Sequence, residues 1–247
     1  MVSRGFSAVR VVGDALVYGL RFMRMHTWRL VLWFFCLLLP LWGFAALVDE
    51  LHEQKAFPFD APILALLHGL ATPTLNHFFL ITSRLGYLWG VVPLDAIILI
   101  VLVATRRFRD GLFFGISVLG SATLNVVAKH HFARMRPDLW LSITPETTYS
   151  FPSGHAMGSA TLGLALIILL WQTRWRWPVS AVSVIFVSLV GVSRVYLGVH
   201  YPSDILAGWT AAMAWTFAMF VLVDQKAPTP PPSAAPNKDA VGANSGH

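Results

Sequence analysis

The sequence predicts an all-α, polytopic membrane protein in which six transmembrane helices form a bundle and short interfacial helices lie on its outer face. Composition is the first observation, because 56% of the 247 residues are hydrophobic and only 12% are charged, whereas soluble domains are about one-quarter charged. The second is a series of long apolar runs, and the third is the clustering of arginines between those runs. This arginine pattern is the one that membrane topology produces, and it accounts for the net charge of +6. No nucleic-acid partner is therefore expected.

Apolar runs of about 18 or more residues can cross a bilayer as helices. The first run exceeds the apolar region of about 7–15 residues found in signal peptides, which favours a retained anchor over a cleaved leader. The runs divide the chain into an amino-terminal segment (1–29), a transmembrane domain (30–223) and a tail (224–247). The predicted crossings are Leu30–Val48, Gly86–Thr105, Gly111–Ala128, Ala156–Trp171, Val179–Leu197 and Ile205–Val223.

The arginine clusters predict which side of the membrane each loop faces. Clusters at 106–109 and 174–176, together with the arginine-rich amino-terminal segment, mark the cytoplasmic side by the positive-inside rule. Six crossings return the carboxyl terminus to that side, where the Pro-, Ala- and Ser-rich tail is expected to be disordered. We therefore expect an inner (plasma) membrane protein with both termini in the cytoplasm. The proline-interrupted stretch from Phe57 to Leu80 is expected to form the interfacial helices of the outer face.

Three short polar segments, far apart in sequence, are expected to meet at this outer, periplasmic face. They read KHHFARMRPDLW after the third crossing, FPSGH before the fourth, and SRVYLGVHYPSD between the last two. Ionisable groups beside membrane spans are costly and are functional candidates by default. The candidate residues of the three segments are Lys129, Arg136, Ser153, Gly154, His155, Arg194, His200 and Asp204.

The residue types of the first two segments favour an anion site. Ser153 can cap a helix, and Gly154 lets backbone N–H groups approach a ligand closely. A helix amino terminus with free N–H groups favours an anion such as phosphate. Lys129 and Arg136 would lie on one helix face if the helix continued to Arg136, where Pro137 would end it. The loop 138–150 is expected to border the pocket.

The third segment adds groups suited to nucleophilic chemistry. Arg194 supplies a planar fork for two phosphate oxygens. Pro202 fits the first position of the last helix, which places Asp204 in its first turn. A carboxylate that accepts from one nitrogen of His200 fixes its tautomer and leaves the other nitrogen free to attack. His155, which we expect to belong to the fourth helix, is then available as a second proton-transfer group.

A metal site is the main alternative for these residues. Its possible ligands are His130, His131, His155, His200 and Asp204. Three or four fixed cations in the same cluster would repel a divalent ion and hold a phosphate, so no metal and no cofactor is expected. His130, His131 and Arg134 are expected to be exposed loop residues, with contact to a substrate headgroup as the alternative. Asp95 lies inside the second crossing, where its carboxyl group is expected to make a polar contact between helices.

The three segments together resemble the signature of the type 2 phosphatidic acid phosphatase and vanadium haloperoxidase superfamily. That signature is Lys, six residues and Arg-Pro; then Pro-Ser-Gly-His; then Ser-Arg, five residues, His, three residues and Asp. Every fixed position is present in order, in KHHFARMRP (129–137), PSGH (152–155) and SRVYLGVHYPSD (193–204). With six apolar crossings, the resemblance is to the membrane lipid phosphatase branch of this superfamily.

The resemblance implies an integral-membrane lipid phosphate phosphatase. Its partners would be the bilayer and a membrane lipid substrate, such as undecaprenyl diphosphate, phosphatidate or phosphatidylglycerophosphate. His200 would form a phosphohistidine while Asp204 holds its ring, and His155 would protonate the leaving group and later activate water. The phosphate oxygens would be bound by Lys129, Arg136, Ser153, Gly154 and Arg194.

Other functions share parts of this pattern. A lipid-to-lipid phosphotransferase would use the same intermediate and differ only in its acceptor. A vanadate-dependent halide oxidant is disfavoured by six apolar crossings, and a non-catalytic lipid binder is disfavoured by an intact nucleophile, orienting acid and proton donor. Whether the protein is a homo-oligomer is not determined by the sequence.

Overall fold

The computed structural model describes residues 27, 31–32, 34–53, 57–140 and 142–223, and the regular structure within them is helical throughout. The expectations for the amino-terminal segment, apart from residue 27, and for the disordered tail (224–247) lie outside the described residues. The described α-helices are α1 (Leu39–His52, which follows a π-helical turn, Phe34–Leu38), α2 (Asp60–Gly69), α3 (Pro73–Leu85), α4 (Val91–Ala104), α5 (Phe108–Phe132), α6 (Gly154–Leu170), α7 (Arg176–Tyr196) and α8 (Pro202–Val223).

Within the part of the chain that the structure describes, four helical segments are long and apolar enough to cross a membrane. They are Phe34–His52, Phe108–Phe132, Arg176–Tyr196 and Pro202–Val223. Helices α4 and α6 coincide with the second and fourth predicted crossings but have only 14 and 17 residues, and a perpendicular span needs about 20. The all-helical membrane architecture is thus confirmed, whereas the count of six crossings remains a prediction.

The outer surface of the bundle is apolar, as expected for helices in contact with lipid. Ile97 and Ile100 on α4, and Val182 and Ile185 on α7, are between 57% and 67% exposed. Soluble proteins rarely expose contiguous apolar surface of this kind, because water penalises it. The exposed apolar helices therefore support a membrane location.

Helix α6 lies at the centre of the bundle, where it packs against α5, α7 and α8. One core cluster joins Phe113 and Phe114 of α5 to Leu162 and Ala165 of α6 and Met219 of α8. Small residues on the helix faces allow such close packing between membrane helices. The centre of the bundle therefore fixes α6, whose amino terminus carries the second polar segment.

Two contacts identify the opposite ends of the bundle. Near the start of α5, Arg109 Nη2 donates to the carbonyl of Val223 at the end of α8, at 2.9 Å. At the other end, Ser153 N donates to the carbonyl of Asp204 at 3.1 Å, which joins the starts of α6 and α8. The polar segments meet at this second end, away from Arg109.

Helix α5 ends earlier than the sequence indicated. The expectation that the helix would continue to Arg136 is wrong, because Ala133 adopts a left-handed conformation with φ of 46°. The helix therefore stops at Phe132, and Arg136 is carried by the following loop. Lys129 and Arg136 contact the same two residues, Thr148 and Tyr149, from two different backbone elements rather than from one helix face.

Candidate active site

The start of α6 forms one wall of the candidate site. Ser153 is the amino-terminal cap residue of α6, as predicted, and its Oγ accepts from the backbone N–H of Ala156 at 3.5 Å. A Cβ added at Gly154 would lie 3.0 Å from Asn125 Oδ1. Asn125 in turn donates from Nδ2 to the carbonyl of Pro152 at 3.1 Å. Glycine at position 154 therefore lets α5 approach the first turn of α6 closely.

His200 and Asp204 form a buried pair at the start of α8. His200 is 1% exposed and Asp204 is fully buried. Nδ1 of His200 lies 3.4 Å from Asp204 Oδ2. Ser150 Oγ lies 3.3 Å from the same Nδ1 and also donates to Asp204 Oδ2. Tyr201 N donates to that oxygen at 2.8 Å, so the carboxylate is held firmly behind the imidazole.

The other ring nitrogen of His200 faces the cationic side of the site. Its Nε2 lies 3.1 Å from Arg136 Nη1, so the tautomer with a proton on Nδ1 satisfies both neighbours. Burial, followed by the charges of Arg194, Arg136 and Lys129, holds the pKa of His200 well below its ordinary value of 6.5. The imidazole is therefore neutral near pH 7, with a lone pair on Nε2.

Backbone carbonyls orient the first two cations. Arg136 donates from Nε to Thr148 O at 2.6 Å and from Nη1 to Val199 O at 2.6 Å. Lys129 donates from Nζ to Tyr149 O at 2.5 Å and to Thr148 Oγ1 at 3.3 Å. Thr148 and Tyr149 belong to the loop 138–150, which was expected to border the pocket. This loop therefore fixes the direction of both cationic side chains.

Glu146 joins Arg194 to the cluster, although no sequence motif marked Glu146 as a site residue. Its carboxylate contacts Arg136 Nη2 at 2.7 Å through Oε2 and Arg194 Nη2 through Oε1. Arg194 also donates from Nη1 to Ser83 Oγ at 2.5 Å. Burial acts to raise the pKa of Glu146, but Arg194 and Arg136 outweigh it and the pKa is lowered. An ionised carboxylate thus bridges the two arginines, and its only sequence signal is an acidic residue in a loop between two cationic segments.

His155 lies on the first turn of α6 beside these groups. Its ring centroid is 5.0 Å from that of Tyr87, with the rings tilted by 37°. Among the described residues its imidazole has no hydrogen-bonded side-chain partner, and the ring is half-buried. Arg194, His200, Lys129 and Arg136 are all near enough for their charges to act on it. The imidazole is therefore oriented by packing rather than by a carboxylate.

Arg134 has a partner set that its position in the sequence did not indicate. Its Nη1 contacts Asp204 Oδ1 at 2.6 Å and Ser203 Oγ at 2.8 Å, and its Nη2 contacts Asp60 Oδ2 at 2.9 Å. The side chain is only 13% exposed. The expectation of an exposed loop residue is wrong for Arg134, because two carboxylates draw it into the protein.

The other residues without an assigned role stay outside this cluster. His130 and His131 are exposed, as expected, but they lie in the last turn of α5 rather than in a loop. Their rings contact Tyr149 and Phe132 respectively. Asp95 is a half-buried residue of α4. Its Oδ1 is buried and has no hydrogen-bond partner among the described residues, so the predicted polar contact between helices is not found for this atom. Within those residues, no group of three or more His, Cys, Asp or Glu side chains is arranged to hold a metal ion.

Comparison with known proteins identifies the family. Residues 110–228 match the PAP2 superfamily. The chain is 30% identical over 182 residues to an undecaprenyl-diphosphatase of Sulfolobus acidocaldarius, in an alignment that covers 71% of this chain and 83% of the relative. The chain belongs to the PAP2 superfamily.

A further sequence relative and a solved structure agree with this assignment. Phosphatidylglycerophosphatase B of Bacillus subtilis is 29% identical, with 70% of this chain and 88% of the relative aligned. The crystal structure of a transmembrane PAP2-type phosphatidylglycerolphosphate phosphatase from Bacillus subtilis superposes with a TM-score of 0.66 and 27% identity, covering 74% of this chain and 94% of that one. The predicted family and the enzyme class, a membrane phosphatase, are therefore confirmed.

Proposed function

We propose that this PAP2 protein hydrolyses the phosphomonoester or diphosphate headgroup of a membrane lipid through a metal-independent phosphohistidine intermediate. The observation that carries the proposal is the position of the His200 imidazole between a buried carboxylate and the cations of the site. Its Nδ1 lies 3.4 Å from Asp204 Oδ2 and its Nε2 lies 3.1 Å from Arg136 Nη1, and Arg194 and Lys129 are near enough for their charges to act on the ring. A histidine whose Nδ1 is held by a carboxylate and whose unprotonated Nε2 faces cations that can bind a phosphate is arranged for attack on phosphorus.

The phosphate would be bound by the groups that surround Nε2. Arg136, Arg194 and Lys129 would neutralise the charge on its oxygens. The hydroxyl of Ser153 and the N–H of Gly154 would complete the pocket at the amino terminus of α6, where the helix dipole favours an anion. These positions supply charge without a metal, and their positive charges disfavour a divalent cation.

The reaction would proceed in two displacements at phosphorus. His200 Nε2 attacks, the N–P bond forms, and the P–O bond to the lipid breaks as His155 gives its proton to the leaving oxygen. His155 then takes a proton from water, whose oxygen attacks phosphorus. The N–P bond breaks, its electron pair returns to Nε2, and inorganic phosphate leaves. Asp204 stabilises the charge that develops on the imidazole during both steps.

The proposed site would lie at the outer face of an inner (plasma) membrane. Residues 30–223 would form the membrane domain with six crossings, α2 and α3 would lie in the interface, and both termini would be cytoplasmic. The support is that Arg109 lies at the end of the bundle opposite His200, as the positive-inside rule requires. The names of the relatives support undecaprenyl diphosphate and phosphatidylglycerophosphate as substrates, with phosphatidate as a third candidate.

The test is phosphate release by the purified protein in detergent with EDTA present. Undecaprenyl diphosphate, phosphatidylglycerophosphate and phosphatidate are compared, with His200→Ala as the control. We expect release that survives EDTA and is lost in the control. Activity lost in EDTA and restored by a metal would contradict the metal-independent mechanism. Transfer of labelled phosphate from one lipid to another, without release of inorganic phosphate, would instead support a lipid-to-lipid phosphotransferase.

A further inference from the structure

The carboxylate of Asp204 has one oxygen that the proposed reaction does not use. Its Oδ2 contacts His200 Nδ1, Ser150 Oγ and Tyr201 N. Its Oδ1 contacts Arg134 Nη1 at 2.6 Å. Burial strongly disfavours an isolated carboxylate charge unless a cation and hydrogen bonds compensate it. Arg134 is the cation that contacts this carboxylate directly, so the charge behind His200 depends on it.

Arg134 is itself fixed by a second buried carboxylate. Asp60, at the start of α2, is 4% exposed and accepts from Arg134 Nη2 at 2.9 Å. It also accepts from Ser203 N at 2.9 Å and from Ser203 Oγ at 2.6 Å. Asp60 therefore connects α2 to the first turn of α8, and Arg134 spans the two carboxylates. The chain Asp60–Arg134–Asp204 ends at the imidazole of His200.

Two aromatic rings hold the guanidinium of Arg134 between these carboxylates. Its Cζ lies 4.1 Å from the centroid of Tyr201 and 5.3 Å from that of Phe57. A planar guanidinium stacked in this way directs its two Nη groups along fixed lines. A lysine at this position would keep the charge but could not reach both carboxylates in one plane.

We propose that Arg134 and Asp60 are positioning residues, which keep Asp204 charged and correctly oriented behind His200. They touch neither the phosphate pocket nor Nε2, so their effect is on the rate of the chemical steps rather than on substrate affinity. This inference rests on the proposed function in that its main readout is phosphate release. It adds α2 and the loop after α5 to the structure that supports the nucleophile.

The experiment compares Arg134→Met with Arg84→Met in the full-length protein. Arg84 is a matched control, because it is exposed, lies 5.6 Å from the ring of Trp89 and has no contact with the site. Losing a charged hydrogen bond at Asp204 predicts a fall in kcat of about 10- to 100-fold for Arg134→Met, with KM little changed. Arg134→Lys should recover part of this loss, and Arg84→Met should match wild type.

A double-mutant cycle separates positioning from a general structural role. If Arg134 acts through Asp204, Arg134→Met should cost little further activity in an Asp204→Asn background. Full additivity of the two losses, or a wild-type kcat for Arg134→Met, would overturn the inference. If Arg134→Met does not fold, the same cycle with Arg134→Lys decides the question.

A second readout does not depend on turnover. The rate at which diethyl pyrocarbonate modifies His200 is measured by mass spectrometry in wild type, Arg134→Met and Asp60→Asn. Loosening of Asp204 should speed the modification several-fold in both variants, and equal rates would contradict the inference. Wild-type protein that releases no phosphate from any lipid would instead count against the proposed function, while the modification rates would still decide the role of Arg134 and Asp60.

Discussion

Gly208 is the position at which a single methyl group should separate the two halves of the site. It lies on α8 one turn after Asp204. A Cβ there would sit 2.9 Å from Ser153 O, 3.1 Å from Met157 N and 3.1 Å from Ala156 Cβ. Two of these atoms are backbone atoms, one of the cap residue of α6 and one of its first turn, so no side-chain rotation can relieve the overlap. Gly208→Ala therefore requires the starts of α6 and α8 to move apart.

The size of the effect follows from these distances. Reaching ordinary contact, about 3.5 Å, requires a separation of about 0.5 Å. Overpacking of this kind costs about 1–3 kcal/mol of stability. The movement would also stretch the 3.1 Å hydrogen bond from Ser153 N to Asp204 O. Since a displacement of about 1 Å at a reacting group can cost about 100-fold in rate, we expect kcat to fall about 10-fold.

The assay pairs kcat with thermal unfolding in detergent, and Gly43→Ala is the control. Gly43 also faces α8, but a Cβ there would lie 3.6 Å from Thr210 Cγ2, which is ordinary contact. Gly208→Ala should lose activity and unfold at a lower temperature than Gly43→Ala. If the two variants are indistinguishable in both measurements, the account of how α6 and α8 position the site is refuted.

Three other changes should have defined effects. Glu146→Gln removes the negative charge between Arg136 and Arg194, which then interact more strongly with a bound phosphate analogue. The inhibition constant of vanadate should therefore fall about 10-fold, which corresponds to one charged hydrogen bond. A higher inhibition constant would contradict this. The pKa of His200 lies well below 6.5, so kcat/KM should stay constant as the pH falls to 6.5 and should decline only at lower pH. A decline of kcat/KM that begins above pH 6.5 would contradict a neutral nucleophile. Gly198 has φ of 69°, and a Cβ there would lie 2.7 Å from Trp140 Nε1. Gly198→Ala should therefore lower the free energy of unfolding by at least roughly 1–2 kcal/mol, the cost of left-handed strain, and so lower the thermal midpoint; an unchanged midpoint would argue against this turn as described.

The helix starts at the site could be predicted because their signals are local. Ser153 precedes α6 and accepts a hydrogen bond from its first turn, as its residue type indicates. Pro202 begins α8, where its missing N–H and fixed φ cost nothing. These two starts place His155 and Asp204 in first turns, and this much needed no tertiary information.

The end of α5 could not be predicted in the same way. Alanine rarely adopts a left-handed conformation, since its Cβ approaches the following carbonyl, so Ala133 gave no stop signal. The structure tolerates this conformation at a turn after which Arg134 reaches two buried carboxylates. Tertiary contacts therefore override the local preference, and Pro137 misleads as a marker of the helix end.

The roles of Arg134 and Glu146 depend on partners far away in sequence. Arg134 contacts Asp60 and Asp204, which are 74 and 70 residues distant, and Glu146 contacts Arg194, 48 residues distant. Spacing rules describe neighbours on one helix or one turn, and none connects residues across such separations. The sequence thus indicates the charged groups of the signature, whereas the charges that balance them emerge only from the fold.

The most direct test of the central claim is to trap the phosphorylated enzyme. The purified protein is mixed with ³²P-labelled lipid substrate in EDTA, quenched within milliseconds in alkali, and digested for mass spectrometry. The account predicts acid-labile, alkali-stable label on the peptide that contains His200, and its absence in His200→Ala. Phosphate release by wild type without any label on that peptide, or release retained by His200→Ala, would contradict it.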